Sequence, residues 1–437
     1  MSFQTGLSGL NAASRNLDVI GHNIANANTV GMKASRTEFS GLVSSALSSA
    51  SSGGSGIGVE VANIAQMFTQ GNISTTSNNL DVAINGSGFF QLTQNDGSPA
   101  YTRDGSFKLD KDGFLRTNTG ANLMGYPTDK SGVPTSASIQ KLQLPTSAPI
   151  GASATTTINA EFNLDARILD NTALTTAGKT INPRSTFGTS LNVYDEQGVA
   201  SPVNFYFEKD AAANTWNIYG GLDTPALVGP PAVPAVTFPL MGSIVFNSAG
   251  NLDSLVDGTG TANATGTGLV FPAGTFASLN PNEDVGPGLI QTEITLDLTS
   301  VTQFGTAFAV SDLTQNGYTA GELTGLNIGE DGVITARYSN GETQSAGQLA
   351  LADFRNIQGL IPLGGNAWAA TNESGQPVQG SPGVGKFGIL RSGALEESNV
   401  DLTAELVNMM TAQRAYQANA QTIKTQDQIM STLVNLR

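Results

Sequence analysis

Cysteine is absent from the chain, and histidine occurs once among its 437 residues, as His22. The lack of cysteine excludes disulfide bonds and thiolate metal sites, and a lone histidine excludes any site that needs two imidazole ligands. A chain without cysteine also suits passage through a secretion channel in the unfolded state, because it can fold outside without redox help. The sequence therefore predicts no metal site and no cofactor.

Basic residues are scarce as well. The chain carries 20 Lys and Arg against 35 Asp and Glu, which gives a formal net charge of −15. A surface of this sign repels phosphate backbones and anionic lipids, which argues against nucleic acids and membrane surfaces as partners. Long apolar runs are missing, and the N-terminal MSFQTGLSGLNAASRN has neither a basic region nor an unbroken apolar core. We expect no membrane insertion and no cleaved signal peptide.

Glycine is the residue in excess, at 51 positions, together with neutral polar side chains, since only 13% of the residues are charged. This abundance of glycine favours many turns and short strands over a helical globule. The length is enough for roughly two to four domains.

Both ends of the chain carry apolar residues at alternating steps of four and three, the spacing of a heptad stripe. In the first segment these residues are Phe3, Leu7, Leu10, Leu17 and Ile24, and Ser14 and Gly21 hold the intervening seam positions. In the last segment they are Leu402, Leu406, Met409, Tyr416, Ala420, Ile423, Met430 and Val434. Ser398 stands three residues before Asp401, which resembles the start of a capping box ahead of the last stripe. The pattern predicts a long helix at each end.

One such stripe is typical of an ordinary core helix, but a narrow apolar seam at each end favours a pair of helices. Each helix would be the nearest partner of the other, in a coiled coil. Gln413 and Asp427 interrupt the second seam. Polar seam residues of this kind indicate further neighbours that fix the register.

Between the ends, the composition changes several times. Residues 44–56 have the Ser- and Gly-rich composition of a flexible linker. Residues 80–126 then alternate apolar strands with tight turns, and their Asp-Gly pairs are hairpin signals. These pairs lie at 96–97, 104–105 and 112–113. A related pattern returns at 326–341 around Asp331-Gly332, which indicates one β domain built from both halves of the chain.

The interval 148–319 is rich in Thr, Ala, Gly and Val and is predicted to be an inserted β domain. Its predicted strands are SLNVYDEQG, VNFYFEK, TWNIYG and GSIVFN, and its Pro-rich segment 224–239 is predicted to be an exposed loop. The predicted fold is therefore multidomain α+β, with β-rich domains nested between the terminal helices by a chain that goes out and returns. The predicted parts are a terminal helical domain (1–28 with 398–437), connecting segments (29–70 with 370–397), a β-rich domain (71–147 with 320–369) and the inserted domain (148–319).

Two motifs resemble ligand-binding loops. GSPGVGKF at 380–387 fits G-x-x-x-x-G-K, but a phosphate loop needs a strand before it, a helix after it and a Ser or Thr where Phe387 stands. TNESGQPVQ before it does not suggest a strand. LDKDGFL at 109–115 lacks the carboxylate spacing and the closing Glu of a calcium loop, so it is interpreted as a hairpin turn. His22 lies on the first helix, away from any strained serine turn. We predict no catalytic residue and no enzyme activity.

Residues 18–36, DVIGHNIANANTVGMKASR, resemble the N-terminal signature of the flagellar rod and hook protein family. The match runs through Asn23, Ile24, Ala25, Asn26, Thr29, Gly31 and Lys33. Residues 400–436 resemble the C-terminal helix of the same family. The resemblance is detailed at the two ends, looser through 57–147 and 320–397, and limited to layout in between.

The resemblance implies a structural protein of the bacterial flagellum. The large insertion is similar in layout to hook subunits rather than rod subunits, which implies a polymer in the form of a curved tube that passes torque from rod to filament. The implied location is outside the cell, after export by the flagellar type III apparatus. Implied partners are many copies of the chain, the distal rod protein, the hook cap, the hook–filament junction protein and the hook-length control protein.

In this interpretation, the seam residues of the terminal helices pack neighbouring subunits, and the signature residues form the junction where the first helix leaves the inner layer. Two alternatives stay open. A distal rod subunit of the same family would share both terminal motifs. A secreted β-rich adhesin or binding module would explain the composition, but not a heptad stripe at each end.

Overall fold

The computed structural model describes residues 2–43, 56–145, 149–169, 187–222, 240–257, 268–272, 275–276 and 290–435. The Pro-rich segment 224–239 and the linker expected at 44–56, apart from Gly56, lie outside the described residues.

The chain divides into two units. The first comprises Met1–Ala148, Thr324–Arg337 and Thr343–Arg437, and the second comprises Pro149–Leu323 and Tyr338–Glu342. Within the described ranges the protein is mostly β-strand, with one α-helix near each end of the chain.

The helices are α1 (Ser2–Ala25) and α2 (Leu402–Asn435). The strands of the outgoing chain are β1 (Ser35–Val43), β2 (Gly56–Gln66), β3 (Ile73–Thr75), β4 (Val82–Asn85), β5 (Phe89–Thr93), β6 (Pro99–Thr102), β7 (Phe107–Leu109), β8 (Leu115–Thr117), β9 (Asn122–Tyr126) and β10 (Gln140–Lys141). Those that follow are β11 (Thr157–Asp165), β12 (Phe187–Tyr194), β13 (Ala200–Lys209), β14 (Thr215–Leu222), β15 (Leu240–Phe246), β16 (Leu252–Asp257), β17 (Gly268–Phe271), β18 (Ile294–Asp297), β19 (Thr302–Phe304) and β20 (Ala309–Gln315). Those of the returning chain are β21 (Leu323–Ile328), β22 (Val333–Tyr338), β23 (Thr343–Leu349), β24 (Leu351–Asp353), β25 (Ile361–Gly364), β26 (Ala367–Ala369), β27 (Val378–Gly380), β28 (Ile389–Ser392) and β29 (Ala394–Glu396).

The predicted strands of the interval 148–319 are confirmed in their main parts, since β12 covers SLNVY of the first quoted segment and β13 to β15 contain nearly all of the other three. They continue into β16 as one antiparallel five-stranded sheet. A second sheet surrounds β11, which pairs with β18 and β19 in parallel and with β20 antiparallel. Both sheets contribute large side chains to a single core, because alternate strand residues point to one face. This core includes Phe162, Phe205, Phe207 and Trp216, all buried.

The main sheet of the first unit joins strands from both halves of the chain. Its central order is β21-β22-β23-β9-β5-β6-β26-β25. The outgoing strand β9 pairs with the returning β23, and β5 pairs with the returning β24. Its core includes Phe90, Leu92, Leu123 and Leu351.

Two of the predicted Asp-Gly hairpins are confirmed. Gly97 and Gly113 have φ of 88° and 81°, which glycine adopts easily, and they join β5 to β6 and β7 to β8. The turn at Asp331-Gly332 is also confirmed, between β21 and β22. The hairpin expected at Asp104-Gly105 is wrong, because β6 pairs with β5 and β26 while β7 pairs with β8. Gly105 instead lies against the carbonyl oxygen of Val82, where a side chain would overlap it.

The start of α2 differs from the sequence expectation. The helix begins after Asp401, whose carboxylate accepts hydrogen bonds from the backbone N–H groups of Thr403 at 2.9 Å and Ala404 at 3.1 Å. Asp401 is therefore the N-cap, because it satisfies amides that have no partner inside the helix. The hydroxyl of Ser398 accepts from the N–H of Val400 at 3.3 Å, before the helix begins.

Strands also occupy segments that were expected only to connect. Within 29–70, β1 and β2 form an antiparallel ribbon, and the N–H of Val59 on β2 donates to the hydroxyl of Ser8 on α1 at 3.3 Å. The motif at 380–387 follows the short strand β27, which the sequence did not suggest, and leads into β28 rather than into a helix.

Candidate assembly site at the base of the terminal helices

The two terminal helices pack against each other in antiparallel fashion. Gly6 faces Ile423, since a Cβ on that glycine would lie 3.2 Å from Ile423 Cγ1, and Gly9 faces Asn419 in the same way at 2.9 Å. Further along, the side-chain amide of Asn23 donates to Glu405 Oε1 at 3.4 Å. Along these contacts the residue numbers rise on α1 and fall on α2, so the two helices run antiparallel.

Two glycines of α1, Gly6 and Gly9, lie where the helices meet. They allow close approach because they have no side chain. Among the described residues, the buried apolar ones of the two helices are Ala12, Ala13, Ile20 and Ala412. Several large apolar side chains of the helices are exposed. The exposed ones are Leu7, Leu402, Leu406, Val407, Met410, Tyr416, Ile429 and Met430.

The structure places the predicted seam residues in three groups. Half-buried ones are Leu10, Leu17, Ile24, Met409, Ala420 and Ile423. Exposed ones are Leu7, Leu402, Leu406, Tyr416 and Met430. The side chains of Phe3 and Val434 lie outside the described residues. Gly6, Gly9 and Asn23, which contact α2, lie beside the predicted stripe of α1.

At the C-terminal end of α1, Asn23 is 1% exposed and its side chain joins the helix to β1. Its amide nitrogen donates to the carbonyl of Ser35 at 2.8 Å, and its amide oxygen accepts from the N–H of the same residue at 2.9 Å. Only a side-chain amide offers both a donor and an acceptor in this arrangement. Asn23 therefore sets the path of the chain from helix to strand.

Asn399 repeats this arrangement ahead of α2. Its amide oxygen accepts from the N–H of Ala34 at 2.7 Å, and its amide nitrogen donates to the carbonyls of Met67 at 2.6 Å and Thr69 at 3.1 Å. One side chain thus ties the entry of the second helix to both strands of the β1–β2 ribbon, at the end where Ser35 pairs with Gln66.

A buried ion cluster completes the region. The carboxylate of Glu396 is fully buried, and it lies 2.5 Å from Lys33 Nζ and 3.2 Å from an Arg103 guanidinium nitrogen. It also accepts from the N–H of Gly71 at 2.9 Å. Lys33 donates to the carbonyl of Thr69 at 2.8 Å. The cluster therefore joins the chain after α1, the chain after the ribbon, the β body and the chain before α2.

Two cations of this cluster share the buried carboxylate of Glu396. Burial lowers the pKa of Lys33 and of Arg103, and Glu396 opposes both shifts. Arg103 is stabilised further by the charge of Asp353 and by the Phe89 ring, whose centre lies 5.2 Å from its guanidinium. Removal of Glu396 would therefore leave the buried charge of Lys33 uncompensated.

Gly31 lies next to this cluster with a φ of 69°. Its N–H donates to the backbone carbonyl of Glu396 at 2.8 Å, and a Cβ there would lie 2.5 Å from the backbone nitrogen of Asp104. Both the backbone angle and the lack of space require glycine. We call Asn23, Lys33, Arg103, Glu396 and Asn399 the helix base.

The other signature residues shape the turn between α1 and the helix base. Ala25 ends the helix. The side chain of Asn26 donates to the carbonyl of His22 at 2.9 Å, and the hydroxyl of Thr29 donates to the carbonyl of Asn26 at 2.8 Å. These bonds satisfy carbonyls that the end of a helix leaves open.

Sequence reasoning found Asn23, Gly31 and Lys33 but missed Arg103, Glu396 and Asn399. Glu396 follows Lys33 by 363 residues, and no local pattern connects them. The one usable signal was the acidic pair Glu396-Glu397 directly ahead of the predicted C-terminal helix.

Within the described ranges, neither helix combines the length and apolarity needed to span a membrane. No group of three or more His, Asp or Glu side chains in those ranges is arranged to hold a metal ion.

Family models match most of the chain. The Flagella basal body rod protein model matches residues 3–33, and the Flagellar basal body rod FlgEFG protein C-terminal model matches 391–436. Between them, the Flagellar hook protein FlgE/F/G D1 domain model matches 83–166 and the Flagellar basal body protein FlaE D2 domain model matches 163–318.

Curated relatives match along their whole length. The flagellar hook protein FlgE of Escherichia coli (strain K12) is 40% identical over 442 residues, covering 100% of both chains. The chain belongs to the flagellar hook protein family. The FlgE of Treponema pallidum (strain Nichols) is 34% identical over 468 residues, covering 100% of this chain and 99% of that protein. The resemblance inferred from the terminal motifs is thereby confirmed.

The fold is also similar to a solved structure. The Helicobacter pylori flagellar hook protein FlgE2 has a TM-score of 0.51 at 15% identity, covering 74% of this chain and 100% of that one. Membership of the flagellar hook protein family makes the chain a structural component of the hook. The family is one of structural proteins rather than enzymes.

Proposed function

We propose that copies of this chain polymerise into a curved tube through the apolar side chains that α1 and α2 leave exposed. One observation carries this proposal: both helices leave large apolar side chains exposed, although Gly6 and Gly9 bring α1 close to α2. Burying a Leu or Met side chain stabilises an assembly by about 1.5–3 kcal/mol. Several such residues on one helix therefore favour contact with other copies over exposure to water.

The tube would serve as a flexible coupling that passes torque from the rod to the filament. In this proposal, the terminal helices (1–28 with 398–437) form an inner coiled-coil layer, and the predicted seam residues pack neighbouring subunits. The β-rich parts surround this layer, with 148–319 as the outermost, and their weak contacts exchange as the tube bends. The helix base supports this division, because buried ionic and amide contacts hold the direction in which both helices leave the β body.

The family also suggests the wider setting. We propose export without a cleaved signal peptide, assembly outside the cell, and contacts with the distal rod protein, hook cap, hook–filament junction protein and hook-length control protein. The match of the D2 domain model to residues 163–318 favours a hook position over a distal rod position.

The test is a charge placed on the exposed face of α2. Leu406→Asp should abolish the polymer, because an aspartate in an apolar interface loses its hydration without gaining a partner. Its cells should release unassembled subunits into the medium and show rods without hooks in electron micrographs. The free energy of unfolding of the purified variant should lie within about 0.5 kcal/mol of the parent value, since residue 406 is exposed before assembly.

Gln417→Asp is the matched control, because residue 417 is an exposed polar position on the same helix. It should retain hooks. Normal hooks from the Leu406→Asp strain would show that this face does not carry assembly.

A further inference from the structure

The second helix extends past the first at one end of the pair. With Gly6 opposite Ile423 and Gly9 opposite Asn419, Ser2 lies near the level of Asp427. Residues 428–435 therefore extend beyond the start of α1 by about 12 Å, at 1.5 Å per residue. This end carries the exposed side chains of Ile429 and Met430 and includes no charged residue.

A groove of about 810 Å³ lies near the other end of α1. Its apolar walls come from α1, the ribbon strand β2 and the chain around β25. The apolar residues that line it are Val19, Ile64, Phe68, Leu360, Ile361 and Pro362. Ile64 and Ile361 are 47% and 56% exposed, so the groove leaves apolar surface open to solvent.

We propose that the end of α2 from a second copy of the chain docks in this groove. Both surfaces expose large apolar side chains, which in the groove lie among polar residues such as His22 and Glu373. A helix end with two neighbouring apolar anchors suits a groove lined on three sides. The end of α2 cannot reach the groove of its own chain, because His22 on the groove wall lies about 30 Å along α1 from Ser2.

The proposed contact joins different surfaces of the two copies. A contact of this kind leaves one helix end and one groove free after each addition, so it continues as an open helical polymer rather than closing as a dimer. The inference rests on the proposed polymer and specifies one of its contacts, from each subunit to the next.

The absence of cysteine allows a direct test. Hooks would be isolated from cells that express the double variant Ile361→Cys with Met430→Cys and treated with a short bis-maleimide linker. A continuous head-to-tail contact predicts a ladder of covalent oligomers on a denaturing gel. Each single variant should give none. Ile361→Cys with Gln417→Cys is the matched control and should also give no ladder, since residue 417 lies in the middle of the helix.

A second pair, Ile64→Cys with Met430→Cys, tests the opposite wall of the groove and should give the same ladder. Hooks that form normally but yield no ladder with either pair would overturn the docking and leave the proposed function intact. Failure of the unmodified chain to polymerise would instead contradict the proposed function.

Discussion

The second unit and the terminal helices place their apolar side chains in opposite ways. The second unit buries large aromatic residues such as Phe162 and Phe207 in one core between its sheets. The helical pair buries glycine and alanine and leaves Leu406 and Met410 exposed. A core of the first kind stabilises a unit by itself. A surface of the second kind gains most of its stability only when another copy covers it.

The largest expected effect lies in the core of the second unit. Phe162→Ala should lower its free energy of unfolding by about 3–5 kcal/mol, because a fully buried ring is lost and a cavity remains. The chain has only two tryptophans, Trp216 in this unit and Trp368 in the other. A Trp368→Phe background therefore leaves one fluorescent reporter for urea unfolding of the second unit.

Phe304→Ala is the matched control, since Phe304 is 46% exposed in the same unit. Its unfolding free energy should stay within about 0.5 kcal/mol of the parent. Equal losses of unfolding free energy for both variants would mean that the buried ring of Phe162 stabilises the second unit no more than the exposed ring of Phe304 does.

The next effect lies at the helix base. Glu396→Gln keeps the shape of the side chain but removes the carboxylate that Lys33 and Arg103 share. We expect the free energy of unfolding to fall by about 3 kcal/mol, because Lys33 remains buried without a counter-charge. Trp368, in a Trp216→Phe background, would report the unfolding, as its ring packs 5.7 Å from that of Phe89.

The neighbouring Glu397 provides the control, because it is exposed. Glu397→Gln should change stability by no more than about 0.5 kcal/mol. If both glutamine variants unfold like the parent, the ion cluster does not hold the helices to the β body.

A smaller loss of stability is expected when the backbone geometry at Gly31 is disturbed. Gly31→Ala should cost about 1–3 kcal/mol, since alanine is strained at a φ of 69° and its methyl group would meet the backbone of Asp104. Gly21→Ala on α1 should instead stabilise the helix by about 0.5–1 kcal/mol, because nothing lies within 4 Å of its added carbon. Urea unfolding with Trp368 as reporter compares the two. Equal effects would argue against a special role for Gly31.

Local sequence patterns predict a good part of this fold. Heptad spacing predicts both helices. The Asp-Gly pairs at 96–97 and 112–113 predict hairpins correctly because the residues of a tight turn determine its conformation locally. Asp104-Gly105 carries the same signal but fails, because tertiary packing against Val82 decides that position. Gly6 and Gly9 also lie where the helices meet, a contribution that a count of apolar residues does not register.

The helix base could be predicted only in part. Asn23, Gly31 and Lys33 stand in one recognisable stretch, whereas their partners come from distant segments. Arg103 and Glu396 are 293 residues apart and meet only because the returning chain pairs with the outgoing one. Single-sequence periodicity carries no information about such pairings.

The position of Glu396 late in the chain has a consequence for incomplete chains. The counter-charge of Lys33 lies 363 residues after it, and the partner helix of α1 begins at Leu402. A fragment that ends before Glu396 would lack both the counter-charge of Lys33 and the second helix. The buried carboxylate thus makes the fixed direction of α1 depend on synthesis of nearly the whole chain.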